Sequence, residues 1–167
     1  MNNFFTDRDL RGRPAEYLTV AYFLARGIPA AINDAPEEDR AGRASHDIVV
    51  GHELWDVKTD FIAATSKRIF VEKASLEHTE STRFCYWIPT PYGMDIRIFP
   101  VLTLTEMYNE RADTLGFDKG FDGLWKYKHA ISGDQATNEG MFVPMADVRA
   151  IGLAPWEVAR QLNVQAA

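Results

Sequence analysis

Asp47, Asp56 and Lys58 carry the most concentrated chemistry in this chain. They fall in two runs rich in strand-forming residues, His46-Asp47-Ile48-Val49-Val50 and Glu53 to Asp60, joined by Gly51-His52. Two such runs around a short glycine-containing connection predict a β-hairpin. A turn at Gly51-His52 pairs Val50 with Glu53, Val49 with Leu54, Ile48 with Trp55 and Asp47 with Asp56. Directly opposed residues hold their Cβ atoms about 5 Å apart, so the two carboxylates are expected to face each other. Side chains alternate along a strand, so Lys58 shares the face of Asp56, while Ile48, Val50, Trp55 and Val57 form an apolar face. Two carboxylates held this close repel unless a cation lies between them. Lys58 supplies one positive charge. A divalent cation supplies two more, and oxygen donors with room for water suit Mg²⁺ or Mn²⁺.

Glu16 is a further candidate. It is the one carboxylate in Ala15 to Arg26, where the other polar residues are Thr19 and Arg26. A buried carboxylate needs a partner, and the same cation is one. Each residue also has a plainer reading. Asp47 and Asp56 also suit a solvated sheet face, although Asp is depleted in strands. Glu16 also suits the first turn of a helix, where its charge favours the helix dipole. Glu72 fits an ordinary strand residue or a supporting member of a charge network.

The elements that position these residues follow from punctuation and pattern. Pro14 suits a first helical position, and Gly27 a stop, so residues 15–26 predict a helix. That helix is apolar nearly all round and is expected to be largely buried. Ile28 to Ile32 predicts a short strand, and residues 33–45 a polar loop. Arg68 to Lys73 predicts a third strand after the hairpin, with residues 61–67 as its connection and residues 74–82 as a short helix or loop. Phe84 to Ile88 predicts an apolar strand, turned at residues 89–93 onto Met94 to Phe99. Helices are expected over residues 104–111 and 155–164. Between them lies a Gly-, Asp- and Asn-rich stretch, and Phe142 to Met145 reads as a short strand. No repeat or domain boundary interrupts the order, so one α/β domain over residues 1–167 is the expectation.

Composition narrows the field. The chain has 167 residues, 46% hydrophobic and 25% charged, an ordinary balance for a globular domain and unlike a disordered or fibrous one. The single Cys85 leaves no internal disulfide framework and points to a reducing compartment. Met1 to Arg8 lacks a basic-then-apolar signal pattern, and no apolar run approaches the roughly 20 residues that span a bilayer. A cytoplasmic location, with no membrane partner, is the expectation. The net charge of −6 weakly disfavours a nucleic-acid partner, yet binding depends on where charges sit. Arg8, Arg11 and Arg13 precede Glu16, Arg40 and Arg43 precede Asp47, and Lys67 and Arg68 flank the third strand. Such clustering suits phosphate contacts. Glu37, Glu38 and Asp39 would oppose DNA if they faced the same side. Trp125-Lys126-Tyr127-Lys128-His129 mixes aromatic and basic residues in a way suited to single strands, and equally reads as a loop with its Trp anchored in the core. The histidines His46, His52, His78 and His129 show no zinc-site spacing. Cys85 reads as a small buried hydrophobe. No nucleophile elbow and no phosphate-binding glycine loop is present.

In this order, the motifs resemble the PD-(D/E)xK nuclease superfamily, the restriction-endonuclease-like fold. The resemblance rests on Glu16 in the first helix, Asp47 on the first motif strand, Asp56-Val57-Lys58 on the next and Glu72 in Phe70-Val71-Glu72, and it covers about residues 14–88. Glu72 matches a pattern of phage and resolvase-like members. His46 stands where a proline is usual, and the second core helix between Glu72 and Phe84 is poorly marked. The resemblance implies an α/β core with a mixed sheet flanked by helices in the order αβββαβ. It implies a Mg²⁺- or Mn²⁺-dependent phosphodiesterase acting on DNA, with endonuclease action the first expectation. Asp47, Asp56 and the Val57 carbonyl would hold the metal, with Glu16 binding directly or through water. Lys58 would orient and help deprotonate the attacking water. Members that cut both strands commonly form homodimers, and the Phe84–Phe99 hairpin or the C-terminal helix with Trp156 offers an interface. Two alternatives stand beside this reading: a non-catalytic DNA-binding or assembly protein on the same fold, and an RNA-directed nuclease.

Overall fold

The computed structural model describes residues 7–33, 46–115, 125–131 and 137–165, with the side chains of 7–12, 129–131, 137 and 165 excepted. Helix α1 runs Asp7–Leu24 and is followed by β1 (Ala30–Ile32), β2 (Ile48–Val50) and β3 (Glu53–Thr59). Then come α2 (Ala63–Ser66), β4 (Arg68–Glu72), α3 (Lys73–His78), β5 (Arg83–Thr90) and β6 (Gly93–Pro100). The remainder is α4 (Val101–Leu115), β7 (Lys126–Ile131), β8 (Thr137–Pro144), α5 (Met145–Ile151) and α6 (Pro155–Gln165).

The expected α/β class holds: a mixed sheet in the order β1-β2-β3-β5-β6 lies between helices. β1, β2 and β3 form an antiparallel meander, and the short helices after β3 carry the chain across so that β5 pairs parallel to β3. A parallel neighbour needs such a crossover. With α1 in front and α2 and α3 within the crossover, the αβββαβ order is present, although its third strand is not the expected one. Arg68 to Glu72 does not join the central sheet. It pairs with β8 in a second sheet of order β4-β8-β7, and the β1 strand completes the meander instead. Period-two patterning marks a strand but not its partner, so the sequence does not tell which of the two joins the central sheet.

Two apolar layers follow from the alternation. Ile48, Val50, Trp55, Val57, Cys85 and Ile98 pack against Ala15, Val20 and Phe23 of α1 and Val158 and Ala159 of α6. On the opposite face Phe84, Tyr86, Ile88 and Phe99 meet Ile69, Val71, Met141 and Val143 of the second sheet, with Leu104 and Tyr108 of α4.

α1 departs from expectation twice. It begins at Asp7, seven residues before Pro14, so the proline lies inside the helix rather than at its start. A proline there removes one intrahelical hydrogen bond, a local cost the rest of the helix absorbs. The helix is also not buried all round: Tyr17, Leu18 and Leu24 are each more than half exposed. Its buried stripe is Ala15, Glu16, Thr19, Val20 and Phe23. Gly27, at φ +75°, ends it as expected, where a left-handed conformation suits glycine.

At Gly140 the second sheet depends on the absence of a side chain. A Cβ there would stand 2.4 Å from the Phe70 ring and 2.5 Å from the Val71 carbonyl oxygen. Backbone cannot give way as a flexible side chain can. Gly140→Ala is therefore expected to destabilise the protein by about 1–3 kcal/mol, read as a fall in the denaturation midpoint. An unchanged midpoint would show that the two strands lie farther apart.

Among the described residues no helix is long and apolar enough to cross a membrane.

Candidate active site

The hairpin forms with the expected register: Val50 opposes Glu53, Val49 opposes Leu54 and Ile48 opposes Trp55. Gly51 takes φ +62° in the turn, a conformation open to glycine without steric cost. At Asp47 the ladder changes. The residue lies in a bend just before β2, and its N–H donates to the Trp55 carbonyl at 2.9 Å rather than to Asp56 opposite. Its side chain takes over, and Asp47 Oδ2 accepts the Val57 N–H at 2.7 Å. The Asn33 N–H donates to the Asp47 carbonyl at 2.8 Å, and Asn33 Nδ2 to the His46 carbonyl at 2.9 Å. The end of β1 therefore pins the bend from the other side. The sequence pattern places Asn33 in the polar loop of residues 33–45. A polar residue closing an apolar strand is the signal that marks it.

Asp47 and Asp56 face each other closely enough for their carboxyl groups to hydrogen-bond. Burial is the main force on Asp47, followed by the charge of Asp56, and the charge of Glu16 adds to both. The Val57 N–H opposes them, but the carboxyl is still pushed up to about 7. Lys58 Nζ lies 2.8 Å from Asp56 Oδ2 and 5.1 Å from the centre of the Phe84 ring. Burial pulls the Lys58 pKa down. The charge and hydrogen bond of Asp56, with the charges of Asp47 and Glu72, outweigh it and hold the pKa above the usual value. Both Asp56 and Lys58 keep about a fifth to a quarter of their side chains exposed, so neither is sealed in the core.

Glu16 and Glu72 border this group from opposite sides. Glu16 is buried on α1 with Arg13 Nη1 at 3.7 Å from Oε2. Thr19, one turn on, donates to the Ala15 carbonyl at 2.7 Å and accepts from Trp87 Nε1 at 3.0 Å. That contact fixes α1 over β5 and so sets where Glu16 reaches. Glu72 ends β4, and its Oε2 accepts from Ser75 Oγ at 3.1 Å. Its field reaches both Lys58 and Tyr86.

Residues not singled out in the sequence brace the group. Asp60 accepts from the Ala63 and Phe70 N–H groups, each at about 3 Å, and ties the end of β3 to β4. Tyr86 is buried, donates to the Phe70 carbonyl at 3.3 Å, and has a hydroxyl pushed well above its usual range, chiefly by burial. Arg83 Nε and Nη2 grip both Glu53 oxygens at 2.6 and 3.0 Å, locking β5 beside β3. Cross-strand partners of opposite charge are the signal here, readable only once the parallel pairing is known.

Other expectations resolve differently. Trp125 is buried and donates to Asp147, so it anchors in the core, and Tyr127 turns the same way to donate to Glu139. Trp125, at 4% exposure, offers no face for a base. Lys67 adopts φ +57° and donates from Nζ to the Ala64 carbonyl, capping α2. His52 and His78 are exposed and His46 is half-buried. Arg40, Arg43, Glu37, Glu38 and Asp39, and the side chains of Arg8, Arg11 and His129, lie outside the described residues. The Phe84–Phe99 hairpin is largely core, whereas Trp156 is 57% exposed.

Cys85 is fully buried. Burial pushes its thiol up to about 12, outweighing the opposing effect of its contacts with Thr19 and Trp87. A thiolate reagent at pH 8 is expected to leave Cys85 unmodified until the protein is denatured. Rapid labelling of the native protein would contradict the packing of α1 on β5.

Among the described residues, no three His, Cys, Asp or Glu side chains converge into a metal-binding group. The donors at hand are the Asp47–Asp56 pair.

No family model matches the sequence, and no curated protein matches it significantly. Among solved structures, Hjc, a Holliday junction resolvase from Archaeoglobus fulgidus, is similar with a TM-score of 0.49 at 14% identity, over 89% of this chain and 99% of that one.

Proposed function

We propose that this protein is a metal-dependent DNA nuclease that hydrolyses phosphodiester bonds, with endonuclease action at the Asp47–Asp56–Lys58 group. One observation carries the reading: two carboxylates are held within hydrogen-bonding reach, one of them pushed up to about 7, beside a lysine whose ammonium form is favoured. An isolated fold gains nothing from that repulsion, and a cation relieves it. The donor set fits Mg²⁺ or Mn²⁺, since Mg²⁺ is commonly held by one or two carboxylates with water and substrate phosphate completing the shell. The order Asp47, then Asp56-Val57-Lys58, resembles the PD-(D/E)xK motif and supports the same assignment.

Asp47 and Asp56, with the Val57 carbonyl, would hold the ion, and Glu16 would add negative charge directly or through water. Bound there, the ion lowers the pKa of water and polarises a phosphate oxygen. The chain's own groups do the rest. The Val57 N–H holds Asp47 in place. The Lys58 ammonium has no lone pair to accept a proton, so it donates hydrogen bonds. It orients the attacking water and offsets charge that builds on the phosphoryl oxygens. Glu72 sits behind Lys58 as a positioning charge rather than a ligand.

The test is direct. Purified protein is incubated with plasmid, single-stranded, branched and RNA substrates in Mg²⁺, Mn²⁺ or EDTA, alongside Lys58→Ala. The expected result is DNA cleavage that needs metal and is lost in the variant. Cleavage of RNA alone would transfer the reading to an RNA-directed nuclease. Metal-independent binding without cleavage of any substrate would transfer it to a non-catalytic DNA-binding or assembly protein.

A further inference from the structure

We propose that the outward face of the second sheet is a platform for an unpaired stretch of DNA, which makes strands with single-stranded segments the preferred substrate. The proposal deepens the nuclease reading and rests on it for the purpose of the platform. Along β4 the side chains alternate. Ile69 and Val71 are buried, whereas Arg68, Phe70 and Glu72 lie half-buried on the other face. The register places Phe142 across from both Phe70 and Lys126, and Gly140 across from both Glu72 and Lys128. That face thus gathers Arg68, Lys126 and Lys128 around Phe70 and Phe142.

The two phenylalanine rings lie 4.9 Å apart, tilted by 45°, and Lys128 Nζ stands 5.5 Å from the Phe142 ring centre. Gly140 clears the space for the Phe70 ring, since any Cβ would collide with it. In a chain of net charge −6, three cations around two half-buried rings are a local reversal of sign. Polyanion backbones are attracted to such a patch, and aromatic faces beside it stack on bases. Bases inside a duplex present edges rather than faces, so stacking requires an unpaired segment. Glu72 is the one carboxylate this face carries among the described positions 68–72, 126–128 and 140–144. It sits at the end nearest the catalytic group, where its field reaches Lys58. That edge of the platform therefore borders the group of Asp56 and Lys58.

Fluorescence anisotropy in EDTA, where metal-dependent cleavage is off, tests binding apart from catalysis. The probes are a labelled oligothymidylate and a blunt duplex of equal length. Wild-type protein is expected to bind the single strand at least about tenfold more tightly than the duplex. Phe142→Leu, which keeps the site filled, is expected to lose about tenfold on the single strand and little on the duplex. Lys126→Gln with Lys128→Gln, on half-exposed positions, is expected to weaken both and to flatten the salt dependence. Equal or tighter duplex binding by the wild type overturns the platform. So does a natively folded Phe142→Leu or double-lysine variant that binds the single strand unchanged. Failure of the nuclease reading shows elsewhere, as single-strand binding with the expected losses but no cleavage in any metal.

Discussion

Asp47→Asn is expected to melt at a higher temperature than the wild-type protein in the absence of metal, while losing at least about 10³-fold in metal-dependent cleavage. The two effects have one cause. In the folded state the Asp47 carboxyl is pushed up to about 7, first by burial and then by Asp56. In the unfolded chain it returns to the ordinary carboxylate range. Between those values the folded state holds a proton that the unfolded state has released, so stability falls as pH rises from about 4 to about 7. Above that window the full cost of the charged carboxylate is present. Asparagine keeps an oxygen to accept the Val57 N–H but cannot ionise. The gain in melting temperature should therefore be large at pH 8 and small at pH 4. A variant that melts lower than wild type at pH 8 would show that Asp47 is held by its contacts and not strained by its charge.

The second large effect concerns the metal. Adding Mg²⁺ to metal-free protein is expected to raise the melting temperature, with a greater rise at pH 8 than at pH 5. At low pH the proton on Asp47 must leave before the cation is held, and that competition weakens binding. An ion present at 100 times its dissociation constant stabilises the bound state by about 2.7 kcal/mol. For a chain of this length that corresponds to a shift of roughly 5–10 °C. Asp47→Asn should abolish the shift at both pH values. A rise of equal size in wild type and variant would locate the ion elsewhere on the molecule.

How far the residues themselves announced this arrangement differs from element to element. The β2–β3 register was legible because Gly51 fixes the turn and Trp55 and Val57 alternate with Asp56 and Lys58. With the register came the meeting of Asp47 and Asp56. What stayed hidden was the bend at Asp47, since its cause is a side-chain hydrogen bond to Val57 rather than any pattern in the strand. The partner of Arg68 to Glu72 was hidden too, because β8 lies far along the chain and alternation does not say which sheet a strand joins. The pairing with β8 takes Glu72 out of the central sheet but leaves it near Lys58, since β4 packs across the face that Tyr86 shares. In the sequence Lys126 and Lys128 form one aromatic-basic run with Trp125 and Tyr127. The strand β7 instead sends the two kinds of side chain to opposite faces, and the rings beside the lysines come from Phe70 and Phe142. The helix α5 carries no separate signal in the sequence, because the apolar run Phe142 to Met145 continues the preceding strand into its first residue.

The short turn at Gly51 and His52 also predicts an order of assembly. Hairpins close within microseconds, whereas a parallel pair must wait for its crossover to form. Asp47 and Asp56 are thus brought face to face by neighbours in the chain while both are still hydrated. The grip of Arg83 on Glu53, and the helix laid over β5 by Thr19, are expected to form later and to exclude that water. Refolding from acid should accordingly outpace refolding at pH 8, since the protonated pair meets no opposition when the two halves of the sheet dock.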